Sequence, residues 1–164
     1  MISKLLISIS VLLLMSCTSI PRKRPPTKAQ PSAIEQLAQI KKRLSSPKTR
    51  TQANKQLDAF ITTHAGTDIA DDASLLGGHL AYESKDYGRA YTYFMNIADA
   101  DVYSPLEGES LSLAADCLQR LVRFNEAIAL TERGLKYKNL PAKEKIYLYN
   151  LRFSILMQVG DRLD

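Results

Sequence analysis

Residues 78–97 read GHLAYESKDYGRAYTYFMNI, and this stretch decides the fold class. Apolar residues recur at helical spacing on both sides of a short polar turn, Lys85-Asp86-Tyr87. Ala90, at the start of the second helix, allows a close approach to the first, and Phe94 and Ile97 fill the space beside it. The stretch therefore predicts a pair of packed helices.

Residues of similar kind recur at intervals of 37 positions on either side of this stretch. The clearest series is Ala53, Ala90 and Ala127. Three more series, in which Ser74 is the weakest match, are Leu37, Ser74, Leu111, Leu148; Ile40, Gly77, Ala114, Leu151; and Leu44, Ala81, Leu118, Ile155. One helical pair cannot cover its own apolar face, so three or more must stack. We therefore predict an all-α solenoid of about three and a half repeats with a period of 37 residues.

Capping patterns set the expected helix limits. Ser32-Ala-Ile-Glu35 and Ser104-Pro-Leu-Glu107 both fit the capping box. Pro47 and Pro141 fit first helical positions, where the missing N–H costs nothing. No window alternates with a period of two, so strands are not expected. The predicted helices are residues 33–44, 47–63, 69–84, 87–99, 105–121, 124–138 and 141–159.

The window from Gly78 to Ile97 resembles the tetratricopeptide repeat. Gly78 matches the glycine of the first helix, Ala90 the alanine of the second helix and Phe94 the aromatic residue. A further copy, Leu111–Leu135, fits less well, because Ala115 and Thr131 replace the glycine and the aromatic residue. The resemblance implies a solenoid of helical hairpins whose first helices line a concave groove.

Groove positions can be carried over from this family one by one. They are Asp72, Leu75, His79, Tyr82, Glu109, Ser112, Asp116 and Gln119. Together they give a mixed, mildly acidic face on which a segment of a partner protein is expected to bind. Each of these residues is also explained as an ordinary solvated helix position.

Residues 1–16 are expected to form a secretory signal. Lys4 and the free amine precede an apolar run, Leu5–Met15, which is too short to span a bilayer permanently. The run ends in Leu14-Met15-Ser16-Cys17, which resembles a bacterial lipobox, although Met15 stands where a small or branched residue is usual. The resemblance implies that the Cys17 thiol is acylated; an ordinary signal with a chance cysteine is the alternative.

In lipoproteins, the residue after the acylated cysteine is related to the membrane in which the protein is retained. In Gram-negative lipoproteins an aspartate there commonly retains the protein in the inner membrane, and here the residue is Thr18. The resemblance therefore implies a lipid anchor in the outer membrane, on its periplasmic face. Because the sequence does not establish a Gram-negative source, a plasma-membrane lipoprotein stays as the alternative.

Residues 17–31 are expected to be the acylated cysteine and a flexible, basic, proline-rich tether, followed by the folded domain at residues 32–164. From Thr18 to Gln30 the chain has three Pro, four basic residues and almost nothing apolar, so it cannot bury a core and should stay extended. Its charges either attract anionic head groups or only keep the linker solvated.

The net charge of +5 conceals an uneven distribution. Residues 1–55 contain 11 Lys and Arg against one acid, whereas residues 56–164 contain 11 against 16. The two parts therefore carry about +10 and −5. Since the basic excess lies wholly in the first third, a uniformly basic nucleic-acid-binding surface is excluded.

No motif for catalysis or metal binding is present. Two Cys 100 positions apart and two His cannot form a zinc or iron–sulfur cluster, and HExxH, GxSxG and GxGxxG are absent. Cys117 is interpreted as a small buried residue rather than a reactive thiol. The acidic pair Asp71-Asp72 is explained by its place at a helix N-terminus. Asp99 and Asp101 are explained by a polar loop. We therefore expect no enzyme, no cofactor and no small-molecule substrate.

The expected function is that of a non-catalytic scaffold lipoprotein that binds a protein partner in envelope assembly. Residues 60–73, FITTHAGTDIADDA, resemble periplasmic lipoproteins that help assemble outer-membrane barrels or coordinate envelope synthesis. An alternative is a regulatory lipoprotein that activates a peptidoglycan synthase, because penicillin-binding-protein activators also begin with a lipobox and a helical-repeat domain. The last predicted helix is then either a closing cap or the point where a longer protein continues. A third possibility, a cell-wall enzyme, requires an acidic residue with a raised pKa in a concave pocket.

Overall fold

The computed structural model describes residues 23–101, 103–137 and 140–160. These residues form seven α-helices and one isolated bridge between Thr27 and Thr67. The helices are α1 (Pro31–Leu44), α2 (Arg50–Thr63), α3 (Asp68–Glu83), α4 (Tyr87–Ala98), α5 (Glu107–Arg120), α6 (Phe124–Leu135) and α7 (Ala142–Gly160). The predicted all-α class is confirmed for this part of the chain. The predicted signal peptide, residues 1–16, and Cys17 lie outside the described residues.

The helices pack in chain order, each against the one before it and the one after it. Short connections of this kind make consecutive helices antiparallel neighbours. Ala53, Ala90 and Ala127, in α2, α4 and α6, are all fully buried. The residues of the other three 37-residue series are buried as well. The positions that recur in the sequence are therefore the positions at which the helices meet.

Two of the turns between helices have the same hydrogen-bond pattern, 37 residues apart. Lys85 and Val122 have positive φ values of 61° and 63°. Beyond them, the Asp86 N–H bonds to the Ala81 carbonyl and the Arg123 N–H to the Leu118 carbonyl, each at 2.9 Å. This is the Schellman arrangement, which satisfies the last carbonyls of a helix and reverses the chain sharply. It sets α4 back against α3 and α6 back against α5.

The contact between α3 and α4 depends on a glycine under an aromatic ring. A Cβ atom added to Gly78 would lie 2.3 Å from the Phe94 ring, and one added to Gly77 would lie 2.9 Å from the Tyr93 ring. Phe94 is fully buried. Only a residue without a side chain lets the two helices approach this closely.

Neither predicted capping box forms. α1 begins one residue before Ser32, with Pro31 at its first position, so the Ser32 hydroxyl lies inside the first turn. Ser104 lies three residues before α5 and accepts a hydrogen bond from the Leu106 N–H at 3.2 Å. Glu107 does not reach back to Ser104, because its carboxylate faces Lys23 and Arg133 instead.

Two side-chain caps were missed. Thr67 accepts a hydrogen bond from the Ala70 N–H at the start of α3, and Asp86 accepts one from the Arg89 N–H at the start of α4. Pro47 precedes α2, which begins only at Arg50. Helix number and order are thus predicted well, and the limits are wrong by at most three residues, at the start of α2 and at the end of α6.

Residues 23–30, which we call the strap, run along the edge formed by the α2–α3 and α4–α5 connections. The Arg24 N–H bonds to the Asp101 carbonyl at 3.2 Å, and the Tyr103 N–H bonds to the Arg24 carbonyl at 2.7 Å. Farther on, the Ala29 N–H bonds to Asp68 Oδ1 at 3.0 Å. The strap, which the sequence predicts to be part of a flexible tether, is held against the helices by these hydrogen bonds.

A partly buried ion pair holds the beginning of the strap. Lys23 Nζ lies 3.0 Å from Glu107 Oε2 and donates a hydrogen bond to the Ala98 carbonyl, also at 3.0 Å. The Glu107 side chain is buried, and Arg133 approaches it from α6 at 3.9 Å. One lysine of the basic segment is therefore used inside the fold.

Among the described residues, no helix has the length and apolar character needed to cross a membrane.

Candidate functional site

The eight predicted groove residues lie on two first helices of the hairpins, α3 and α5, and they differ widely in exposure. Asp72 and His79 are exposed; Leu75, Tyr82, Glu109 and Gln119 are half-buried; Ser112 and Asp116 are buried. The fully exposed residues of the predicted groove are therefore both on α3, and two of its four α5 residues are buried.

A cluster around Asp116 joins α3 to α5. The Tyr82 hydroxyl donates a hydrogen bond to the Asp116 carboxylate, and Arg120 Nε lies 3.3 Å from the same carboxylate. The Arg120 guanidinium also lies over the rings of Tyr82 and Tyr87, at 5.2 and 5.5 Å from their centroids. Burial and the negative charge of Asp116 raise the pKa of the Tyr82 hydroxyl far above its ordinary value. The hydroxyl therefore acts as the hydrogen-bond donor to the Asp116 carboxylate.

A second hydrogen bond joins the groove row on α5 to α7. Gln119 Nε2 donates to Ser154 Oγ at 3.0 Å. Tyr82 and Gln119 occupy equivalent positions, 37 residues apart. Each thus links its own helix to the next first helix, and α3, α5 and α7 are tied side by side.

The remaining α5 and α3 positions have local roles. Ser112 donates a hydrogen bond to the Gly108 carbonyl within α5 at 3.0 Å, which satisfies its hydroxyl internally. The His79 ring packs edge-on against Phe94, with centroids 5.7 Å apart, while the residue itself stays exposed. His79 is therefore positioned by the core and presented to solvent.

The equivalent row on α7 was not among the predicted groove residues. The positions 37 residues after Glu109, Ser112, Asp116 and Gln119 are Ile146, Tyr149, Phe153 and Leu156. All four are exposed. We call these four residues the α7 stripe. The 37-residue period that located the row on α3 and α5 also locates it here.

An acidic residue lies in a cleft beside the strap. The cleft has a volume of about 480 Å³, and Arg24, Asp71, Ser74 and Asp101 are among its lining residues. Burial raises the pKa of the Asp71 carboxyl, and the nearby Asp72 and Asp68 act in the same direction. A hydrogen bond with Ser104 opposes the shift. Asp71 also lies in the first turn of α3, where the helix dipole favours a carboxylate.

The buried thiol and the acidic residues do not assemble into a metal site in the described part of the chain. No group of three or more His, Cys, Asp or Glu there is placed to hold an ion. Burial, with the charge of Asp116 beside it, raises the pKa of the Cys117 thiol to about 12. Cys117 is fully buried among core residues of α4 and α5, which agrees with its interpretation as a packing residue.

Comparison of the chain with protein-family models, with curated proteins and with solved structures finds no match in any of the three.

Proposed function

We propose that the protein is a membrane-anchored, non-catalytic scaffold that binds a protein partner of the cell envelope. On this proposal the helical pairs form a tetratricopeptide-like solenoid of about three and a half repeats. Cys17 carries the lipid anchor, and the partner binds along the first helices. The observation that carries the proposal is the pair of hydrogen bonds, Tyr82 to Asp116 and Gln119 to Ser154, that ties α3, α5 and α7 together.

A surface tied together in this way suits protein recognition. Its polar groups are held before a partner arrives, so less conformational entropy is lost on binding. Asp72 and His79 stand exposed on α3, and the partly exposed Glu109 follows on α5. A lipid anchor would further raise the local concentration of the scaffold for partners at the same membrane.

The partner-binding face is tested by photocrosslinking in cells. A photoreactive residue at His79 is expected to form a covalent adduct with a partner, because this side chain is exposed in the row. The matched control is the same residue at Thr92, which is also exposed but lies on α4, the second helix of the pair. Adducts should be several-fold more abundant at position 79 than at position 92, as measured by immunoblotting and mass spectrometry.

Equal adduct formation at both positions, or none at either, would contradict binding along the first helices. The identity of the adduct separates the two envelope roles. Barrel-assembly proteins support a role in outer-membrane assembly, and a peptidoglycan synthase supports the regulatory alternative.

Asp71 is the observation that favours a second candidate function, a cell-wall enzyme. It has a raised pKa and lines a cleft, as a general acid would. The scaffold proposal instead treats Asp71 as structural, because it meets Ser104 and lies at the N-terminus of α3. A glycoside hydrolase also needs a second carboxylate at a set distance from the first.

Turnover of purified peptidoglycan distinguishes these two functions. We expect the full chain to release no soluble fragments, and the Asp71→Asn variant to behave identically, as measured by chromatography of the reaction supernatant. Release of fragments by the unaltered chain, abolished in Asp71→Asn, would replace the scaffold proposal with the enzyme.

A further inference from the structure

Helix α7 is apolar on two sides. One side, with Leu148, Leu151 and Ile155, is buried against the preceding helices. The other carries the α7 stripe, in which Phe153 is 67% exposed. Six of the ten large hydrophobic residues that are exposed in the described part of the chain lie on this one helix. A contiguous apolar surface of this kind is typical of an interaction site.

The equivalent positions on α3 show what such a face contacts. Phe153 and Leu156 follow His79 and Tyr82 by 74 residues, which is two periods. On α3, His79 packs against Phe94 and Tyr82 against Tyr87, both on α4. On α7, no helix of residues 23–101, 103–137 and 140–160 covers these positions, and both side chains are exposed. The stripe therefore exposes apolar side chains at positions that on α3 contact the next helix.

The spacing of the stripe is that of a two-helix seam. Ile146, Tyr149, Phe153 and Leu156 follow one another by three, four and three residues. These are consecutive a and d positions of a heptad, the pattern with which two helices pack side chain into groove. The rows on α3 and α5 share this spacing, but only on α7 are all four positions apolar and exposed.

We propose that the occupant of the α7 stripe is the α7 stripe of a second copy of this chain, packed antiparallel about a two-fold axis. The axis crosses the stripe halfway along its length, between Tyr149 and Phe153. Tyr149 then meets Phe153 of the other copy, and Ile146 meets Leu156 of the other copy. Every large side chain of the stripe thus has an apolar counterpart, as a self-complementary interface requires.

Charge favours the antiparallel arrangement over the parallel one. The first turn of α7 contains Lys143 and Lys145 with one acid, Glu144, so it carries a net positive charge. In an antiparallel pair the two lysines lie beside the C-terminal end of the other α7, whose dipole is negative. In a parallel pair the same lysines would face each other and repel. Arg152 is already paired with Glu132 of its own chain, at 2.9 Å.

The available area suits a reversible dimer. The stripe residues and the adjacent Met157 are each between 49% and 67% exposed. Their burial in both copies would remove roughly 1,100 Å² of surface, close to the lower limit of about 1,200 Å² for specific interfaces. We therefore expect dissociation in the micromolar range rather than a permanent dimer.

The first test measures the mass of the full chain in detergent by analytical ultracentrifugation. The unaltered chain should shift from monomer to dimer as its concentration rises through the micromolar range. Phe153→Glu, which puts a charge in the seam, should weaken the dimer at least tenfold. The matched control is Ile34→Glu on α1, where an apolar side chain is 56% exposed away from the stripe, and it should dimerise as the unaltered chain does. Circular dichroism verifies that both variants are folded.

The second test reads the direction of packing through single added cysteines. Asn150→Cys lies near the proposed axis and should give a disulfide-linked dimer on mild oxidation. In an antiparallel pair, residue 143 of one copy lies far from residue 143 of the other. Lys143→Cys should therefore not form this disulfide. The unaltered chain is the background control, since Cys117 is buried.

Three results would overturn the proposal. They are a monomer at every concentration, a dimer that Phe153→Glu leaves intact, and crosslinking of Lys143→Cys in preference to Asn150→Cys. Capture of a different protein by the stripe of a monomeric chain would likewise assign the surface to that protein.

Discussion

Replacement of Phe94 by alanine is expected to lower the free energy of unfolding by about 3–5 kcal/mol, as is usual when a fully buried aromatic ring is removed. Phe94 has no exposed surface, lies over Gly78 and contacts the His79 ring. The resulting cavity lies at the centre of the α3–α4 contact. Gly78, which faces it, has no side chain that could move in and fill it. Urea denaturation of the full chain, followed by far-UV circular dichroism, measures the loss.

Gly78 provides a control that depends on the same ring. In the unaltered chain Gly78→Ala should destabilise by about 1–3 kcal/mol, because the new methyl group meets the ring at a contact too short for carbon atoms. In the Phe94→Ala background the same change should be neutral or stabilising by up to about 1 kcal/mol, since alanine is the better helix former. An equal cost in both backgrounds would show that the ring does not lie over Gly78.

The helices and their contacts were predictable because both are encoded locally and repeated. Ala53, Ala90 and Ala127 recur at a fixed spacing, and each is fully buried where its helix meets a neighbour. The limits of α1 and α5 were less predictable. Ser32 and Ser104 both fit the capping box, yet Pro31 starts α1 earlier, and distant cations hold Glu107 away from Ser104. At Glu107, ion pairs with residues distant in the sequence therefore form in place of the local capping box.

The strap was not predictable as a docked element. Its composition is almost without apolar residues, which is why the sequence predicts only an extended tether, although Ala29 packs against the core in the structure. Its backbone groups bond to the Asp101 carbonyl, the Tyr103 N–H and the Asp68 carboxylate. Such bonds depend on which loops the fold brings together, and no residue pattern records them.

The sequence did not predict the exposure of the candidate groove residues. The family resemblance implies one row that contains Asp72 and Asp116, and the structure places these residues on α3 and α5. Asp116 is nevertheless buried, because Tyr82 from α3 and Arg120 from its own helix close over it. Side-chain length on adjacent helices determines this burial, and the spacing of a repeat does not report it.

Replacement of Cys17 by alanine is expected to move the protein from the membrane fraction to the soluble fraction. On the proposed lipobox, acyl chains attached at Cys17 hold the protein at about 0.8 kcal/mol per buried methylene, and two or more chains suffice for stable anchoring. The matched control is Cys117→Ala, which removes the buried cysteine and should leave the protein in the membrane fraction. Immunoblots of fractionated cells, with outer and inner membranes separated by density, measure both variants.

Membrane binding through the basic residues of the strap can be distinguished from binding through a lipid anchor. Basic residues near the anchor would contribute at most about 1 kcal/mol each to attraction by anionic lipids, and salt weakens that attraction. Lys23 contributes less than the others, because it is paired with Glu107 inside the fold. Residual binding of Cys17→Ala through these charges should therefore disappear in a high-salt wash. If the variant stays with the membranes after that wash, the anchor lies elsewhere in the chain and the lipobox assignment is wrong.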